Sequence, residues 1–196
     1  FLYLGNKEKL SKYFETKIVN DYFSQKCFEE NLSCFNLISY LENSKRTQTA
    51  WKNYQLKDKN GHEKILIEST SEGVHFSSLN HTFLNDYLAA LRPNLTKLEK
   101  AKSIAQAIEF YGHEYDFDFN YHTDDKLVCS ELVAKSFNKI EINYDVDSGE
   151  YLEIIAGRLA LPVKNFVFKA YHENVLGRRK SNYKFVAFLK GCLLYT

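Results

Sequence analysis

The sequence predicts an α+β fold built on a central antiparallel sheet. Three observations lead there. Strand-like runs cluster in the middle of the chain, between Lys64 and Leu91, and return near its end at Tyr183–Leu189. Helical periodicity is confined to stretches on either side of that middle. The elements do not alternate as strand and helix, which argues against a parallel βαβ sheet.

Taken in order, Phe1–Leu4 reads as a strand closed by the Gly5 turn. Lys7–Phe23 carries Leu10, Tyr13, Phe14, Ile18, Val19 and Tyr22 at roughly helical spacing and predicts one helix. Residues 27–60 read as irregular, with a short helix at Leu37–Leu41 and a polar loop over Glu42–Gly61; the stretch around 25–61 is taken as an insertion into one domain spanning 1–196. Lys64–Glu68 is an isoleucine-rich strand, followed by the turn chemistry of Ser69–Gly73 and a partner strand at Val74–Phe76. A helical turn at His81–Asp86 leads to a strand near Tyr87–Leu91. Thr96 and Glu99 form a capping-box pattern at the head of a helix whose apolar face is Leu98, Ala101, Ile104, Ala105 and Ile108, with Gly112 as its stop. Tyr115–Phe119 alternates like a strand, Leu127–Phe137 reads as a buried helix, and Asn165–Phe168 and Tyr183–Leu189 are strand candidates.

Composition narrows the function classes. Of 196 residues, 44% are hydrophobic, enough for one substantial core, and the net charge is +1, so the strong basic bias of a nucleic-acid binder is absent. No apolar run approaches the ~20 residues that span a bilayer. The cluster Arg178-Arg179-Lys180 leaves contact with an anionic membrane surface open. Cys27, Cys34, Cys129 and Cys192 show no C-x-x-C spacing, and no Cys/His cluster reads as a zinc site. Reduced thiols are the simpler expectation, with a Cys27–Cys34 bridge left open. The chain contains no methionine and opens directly on a strand, which leads to the expectation of an N-terminal truncation.

Cys129 opens the helix predicted after Leu127. A thiol there meets the positive end of the helix dipole and unpaired backbone N–H groups, both of which favour thiolate. The alternative is a small buried hydrophobe, the commonest role of a free cysteine. Asp116 and Asp118 share one face of a single strand and read as structural. Glu131 is accounted for by charge complementarity with the helix N-terminus.

The run Gly112-His113-Glu114-Tyr115-Asp116-Phe117-Asp118-Phe119, followed by Asp124-Asp125-Lys126-Leu127-Val128-Cys129-Ser130-Glu131-Leu132-Val133, resembles the signature of the YiiX/YebB-like permuted papain-like amidases. These are relatives of NlpC-type cell-wall peptidases and of lecithin:retinol acyltransferase. Leu2-Tyr3-Leu4-Gly5, Ile65-Leu66-Ile67-Glu68 with Gly73-Val74, and Leu91-Arg92-Pro93 fall in the family's order. The resemblance implies a circularly permuted papain-like fold whose sheet is partly barrel-like. It implies thiol hydrolase or acyltransferase chemistry without a cofactor, on a small peptide, a peptidoglycan-like or a lipid substrate. A non-catalytic lipid- or peptide-binding module on the same fold is the alternative. It assigns Cys129 as nucleophile and Glu68 as the residue that orients the histidine. Tyr115 is implied as an oxyanion-stabilising hydroxyl, with simple packing as its alternative. The family's histidine falls about two positions before Phe1. His62, His75, His81, His113, His122 and His172 do not match that position and read as ordinary surface or loop residues.

Overall fold

The computed structural model of the chain describes residues 1–82, 87–138, 152–155, 157–174 and 183–190. It is a mixed helix and strand fold. The chain begins with strand β1 (Leu2–Tyr3), helix α1 (Lys7–Phe14) and helix α2 (Lys17–Glu29). The single helix expected over Lys7–Phe23 is therefore two. The buried positions explain the break. Leu10 and Phe14 are four apart, and so are Val19, Phe23 and Cys27, but Phe14 and Val19 are five apart. A step of five cannot stay on one stripe of a 3.6-residue helix. Tyr13 and Ile18, which seemed to continue that stripe, are exposed.

The short helix expected at Leu37–Leu41 is α3 (Leu37–Asn43), and the stretch expected as a polar loop holds a second helix, α4 (Gln48–Asn53). Asn36 and Ser39 cap α3 reciprocally, each side chain serving the other's backbone N–H. Helix α4 escapes pattern reading because it is short and polar; it is held by Trp51 and Tyr54, stacked at 5.0 Å between ring centroids. Cys27 and Cys34 form a disulfide, with their Cα atoms 5.6 Å apart, which corrects the expectation of reduced thiols. Cys27 at the end of α2 is fully buried, and its backbone carbonyl accepts from Leu32 N, so the chain folds back locally and brings the two sulfurs together. Closing so short a loop stabilises by about 2–3 kcal/mol through the unfolded state. Cys34→Ser is thus expected to lower the melting temperature by about 5–10 °C, read by calorimetry. A shift under 1–2 °C (roughly the effect of a neutral surface change) would contradict this.

Strands β2 (Lys64–Thr70) and β3 (Gly73–Ser78) form an antiparallel hairpin, and β1 pairs antiparallel with β2, Leu2 opposite Ile67. Helix α5 (Leu79–Thr82) follows; the rest of the expected turn, 83–86, lies outside the described residues. Strand β4 (Tyr87–Pro93) precedes helix α6 (Lys97–Glu109), which carries the expected Thr96–Glu99 capping box, and Gly112 adopts φ +85° beyond it. Helix α7 runs Cys129–Asn138, beginning at the cysteine rather than at Leu127. Strands β5 (Glu153–Ile155) and β6 (Arg158–Ala160), helix α8 (Val163–Asn174) and strand β7 (Tyr183–Lys190) complete the described chain. The expected strand at Asn165–Phe168 lies inside α8. Its aromatics suggest alternation, but the buried apolar side chains are Phe166 and Ala170, a helical step of four. The basic cluster at 178–180 and Cys192 lie outside the described residues.

Among the described residues the strands pair as three antiparallel sheets, β1-β2-β3, β4-β7 and β5-β6, and no closed barrel forms. The larger core gathers α1–α4, β2, β3 and α6, so the helices of 27–60 share one core with the first sheet. A smaller core joins Ala134, Phe137, Leu152, Leu161, Phe166, Ala170 and Tyr183. Helix α7 wedges between the two, giving Leu132 to the first and Ala134 and Phe137 to the second.

Candidate active site

The site is assembled by the loop between α6 and α7. Tyr115–Phe119, expected as a strand, is a turn. The Asp116 carboxylate accepts from Asp118 N at 2.9 Å and from Asn120 N at 2.5 Å, and Phe119 sits at φ +54°. A short acidic side chain has outcompeted the ladder for its neighbours' N–H groups. This gives buried Asp116 the structural role expected for it, while Asp118 pairs with Arg158 at 3.1 Å. The ends of the loop close on each other: Leu127 N donates to Glu114 O at 3.0 Å, and the Glu114 carboxylate holds Lys126 at 3.1 Å. Tyr115 is thereby brought to the turn that carries Cys129.

The first hairpin fastens this loop from the other side. Val74 N donates to His113 O at 2.8 Å and Gly112 N to Val74 O at 2.8 Å. The Ser69 hydroxyl donates to Leu127 O at 2.5 Å, tying β2 to the residues just before the cysteine. The interaction of α7 with β2 therefore runs through buried polar contacts as well as apolar ones.

Cys129 is a free thiol at the first position of α7, half-buried rather than sealed. Val128 O accepts the first helical bond, from Leu132 N at 3.0 Å. The N–H groups of the next turn thus point past the thiol, as they do at any helix start. Tyr115 is half-buried. Burial pushes its hydroxyl's pKa up, and the nearby Cys129, Glu131 and Asp116 push it further.

Glu68 lies opposite His75 in the β2–β3 register, its Oε1 3.9 Å from His75 Nε2. His75 was expected as an ordinary residue; the hairpin makes it the imidazole that Glu68 meets. Its Nδ1 is 3.0 Å from Gly73 O and must carry the proton to bond a carbonyl. With Nδ1 on the carbonyl, Nε2 faces Glu68 at 3.9 Å, beyond hydrogen-bond distance. His113 binds Asp124 O through Nδ1 at 2.9 Å and packs edge-on against Phe110.

Glu131 is the residue that sequence reasoning underrated. It is fully buried, and its pKa is pushed up to about 7 chiefly by burial, against the lowering effect of Lys135. The signal available was its helical spacing, which puts it on the same face as Lys135. Beyond the loop, a cavity of about 670 Å³ lies between Asp118, Asn120, His122 and the β5–β6 hairpin with Arg158 and Leu159. Its lining mixes charge and aliphatic carbon. Among the described residues no three His, Cys, Asp or Glu side chains gather as a metal site, and no helix is long and apolar enough to cross a membrane.

The structure brings a half-buried free thiol to the start of a helix on a mixed helix and strand fold. Residues 35–151, which span Glu68, Tyr115 and Cys129, match the model of the YaeF/YiiX family of permuted papain-like amidase enzymes, and the chain belongs to that family. No curated protein and no solved structure matches the chain.

Proposed function

We propose that the protein is a thiol hydrolase or acyltransferase acting on amide bonds, peptide or isopeptide, or on acyl bonds, through a thioester on Cys129. The observation that carries this reading is the half-buried free thiol at the head of α7. In the reaction, the Cys129 sulfur attacks the carbonyl carbon. The carbonyl oxygen takes up negative charge, stabilised by N–H groups of the α7 first turn and by Tyr115. The thiol's proton passes to the histidine, and the C–N or C–O bond then breaks as the leaving group takes that proton from the imidazolium. Water, or an acceptor nucleophile in the transferase case, attacks the thioester and frees the thiol.

By the family resemblance the base falls to a histidine about two positions before Phe1, since none of the six histidines of this sequence matches that position. Continuing the register of Leu2 opposite Ile67, Phe1 falls opposite Glu68 and the residue two before it opposite Thr70. Cross-strand partners share a face, so that side chain would stand diagonally beside Glu68, within reach of a carboxylate that orients it. Glu68 then has the orienting role, with His75 steadying it from the other strand.

The test is covalent trapping. The chain extended upstream by its own sequence is incubated with activated peptide and fatty-acyl esters, and the adduct is mapped by mass spectrometry. The expected result is an acyl group on Cys129 that hydroxylamine removes. Reversible binding of a peptide or fatty acid with no adduct on Cys129 would replace the hydrolase with a binding module.

A further inference from the structure

Strands β4 and β7 pair with each other, and helix α8 covers one face of the sheet they make. Tyr183 and Phe185 of β7 point to that face. Their rings meet Phe166 at 6.0 Å and Tyr171 at 6.4 Å between centroids. Strand side chains alternate, so Lys184, Val186 and Phe188 stand on the opposite face. All three are exposed, Val186 by 48% and Phe188 by 51%. Tyr87 of β4 is 58% exposed and joins them, its ring stacked at 6.0 Å on Phe188. A sheet face turned to water is normally polar, and this one is apolar along most of its length. Single exposed apolar residues need no explanation, but a run of them on one face marks an interaction surface.

Charge indicates the kind of partner. Neither β4 nor β7 contains an aspartate or glutamate. Arg92 and Lys184 lie directly opposite each other in the register, both exposed, and among the described residues neither makes an ion pair. Like charges placed opposite one another destabilise a sheet, and an anionic surface laid against them removes that cost. From 178 to 190 the sequence holds five cations, Arg178, Arg179, Lys180, Lys184 and Lys190, and no acid, in a chain whose net charge is +1. Cations alone are explained as protection of a sheet edge against pairing with another chain. Val186 and Phe188 are not, because exposed apolar side chains favour such pairing. A nucleic acid would also attract the cations, but aliphatic Val186 offers no plane for a base to stack on. Apolar side chains flanked by cations match the boundary between acyl chains and phosphate headgroups.

We propose that the outer face of the β4–β7 sheet docks on an anionic lipid membrane, with Tyr87, Val186 and Phe188 entering the acyl boundary and Arg92 and Lys184 meeting lipid phosphates. The long stems of the two cations lie along the apolar surface while their charges stay at headgroup level. Helix α8 and the smaller core remain on the aqueous side of the sheet. The inference stands independently of Cys129 and of the reaction proposed for it.

The experiment is co-sedimentation of the chain with vesicles of phosphatidylcholine, either pure or mixed with phosphatidylserine, from about 50 to 500 mM salt. Two double variants accompany the wild type, Arg92→Gln with Lys184→Gln and Val186→Ser with Phe188→Ser. The expected result is binding to the mixed vesicles that weakens with salt, and little binding to the pure ones. Each cation removed lowers the partition coefficient by about fivefold, so the glutamine pair lowers it by about thirtyfold. The serine pair lowers it by about tenfold or more, through lost apolar burial. All four positions are exposed, and melting curves check that each variant is folded. Should the serine pair fail to fold, the glutamine pair decides. A wild-type chain that stays in the supernatant with mixed vesicles at the lowest salt would overturn the proposal. Folded variants that bind like wild type would do the same. So would a dimer in sedimentation velocity that the serine pair dissociates, since that assigns the face to a second copy of the chain.

Discussion

Cys129→Ala is expected to lower turnover by about 10⁴-fold or more while leaving the fold and substrate binding almost unchanged. The size follows from what the sulfur does. It forms the covalent bond, and in enzymes of this logic removing the nucleophile costs nearly as much as removing the whole catalytic group. The selectivity follows from where it sits. The thiol is small and half-buried, and it is not among the residues of either core, so its loss should cost less than about 1 kcal/mol of stability. The measurement pairs kcat and KM on the substrate found by acyl trapping with a thermal melt of the same preparation. Activity within tenfold of wild type would mean that another group performs the attack, and the cysteine would revert to packing. Binding retained at wild-type strength alongside lost turnover is the expected combination, because the sulfur forms its bond only in the reaction.

Much of the fold around this site was legible in the sequence, and most of the parts that were not share a cause. The capping box at Thr96 and Glu99, the stop at Gly112 and the hairpin strands are decided by residues within a few positions of one another. Cys129 at a helix start was equally local. The pairing of Glu68 with His75 was within reach too. Thr70 lies opposite Gly73 across a two-residue turn, and that register fixes every later pair of the hairpin. The burial of Glu131 was not legible. Its position on the helix is the same whether the face meets water or packing, and only the meeting of α7 with the 115–125 loop decides which. The disulfide had the same character. A seven-residue spacing between Cys27 and Cys34 permits a bridge without requiring one, and the turn that closes it depends on burial of α2 in the core. Tyr115–Phe119 failed as a strand for a different reason: one aspartate side chain satisfied the backbone groups that a neighbouring strand would otherwise have taken.

Gly73→Ala is expected to be the most disruptive single-methyl change outside the catalytic group, through its effect on the loop that places Tyr115. Gly73 has φ +88°, where any side chain is strained, and a Cβ built on it would stand 2.5 Å from His113 O and 3.5 Å from Glu114 Cα. The obstructing atom is backbone, and it already accepts from Val74 N. It cannot swing aside as a side chain would. The hairpin and the 112–114 segment must separate, and Tyr115 is the next residue along. Gly112 supplies the control. Its φ is +85°, but a Cβ there meets nothing within 4 Å, so Gly112→Ala carries only the backbone strain. That strain is about 1–2 kcal/mol. The clash at Gly73 adds to it, for a total of about 2–4 kcal/mol and a melting temperature lower by about 5–15 °C. Turnover should fall with Gly73→Ala, by tenfold or more if displacement of the loop by about 1 Å is enough to spoil the alignment. It should stay near wild type with Gly112→Ala. Calorimetry and kcat on the two variants side by side separate the contributions. Equal destabilisation by both, with kcat unaffected in either, would show that the hairpin tip is free to move and that the packing of Gly73 on His113 does not set the geometry of the site.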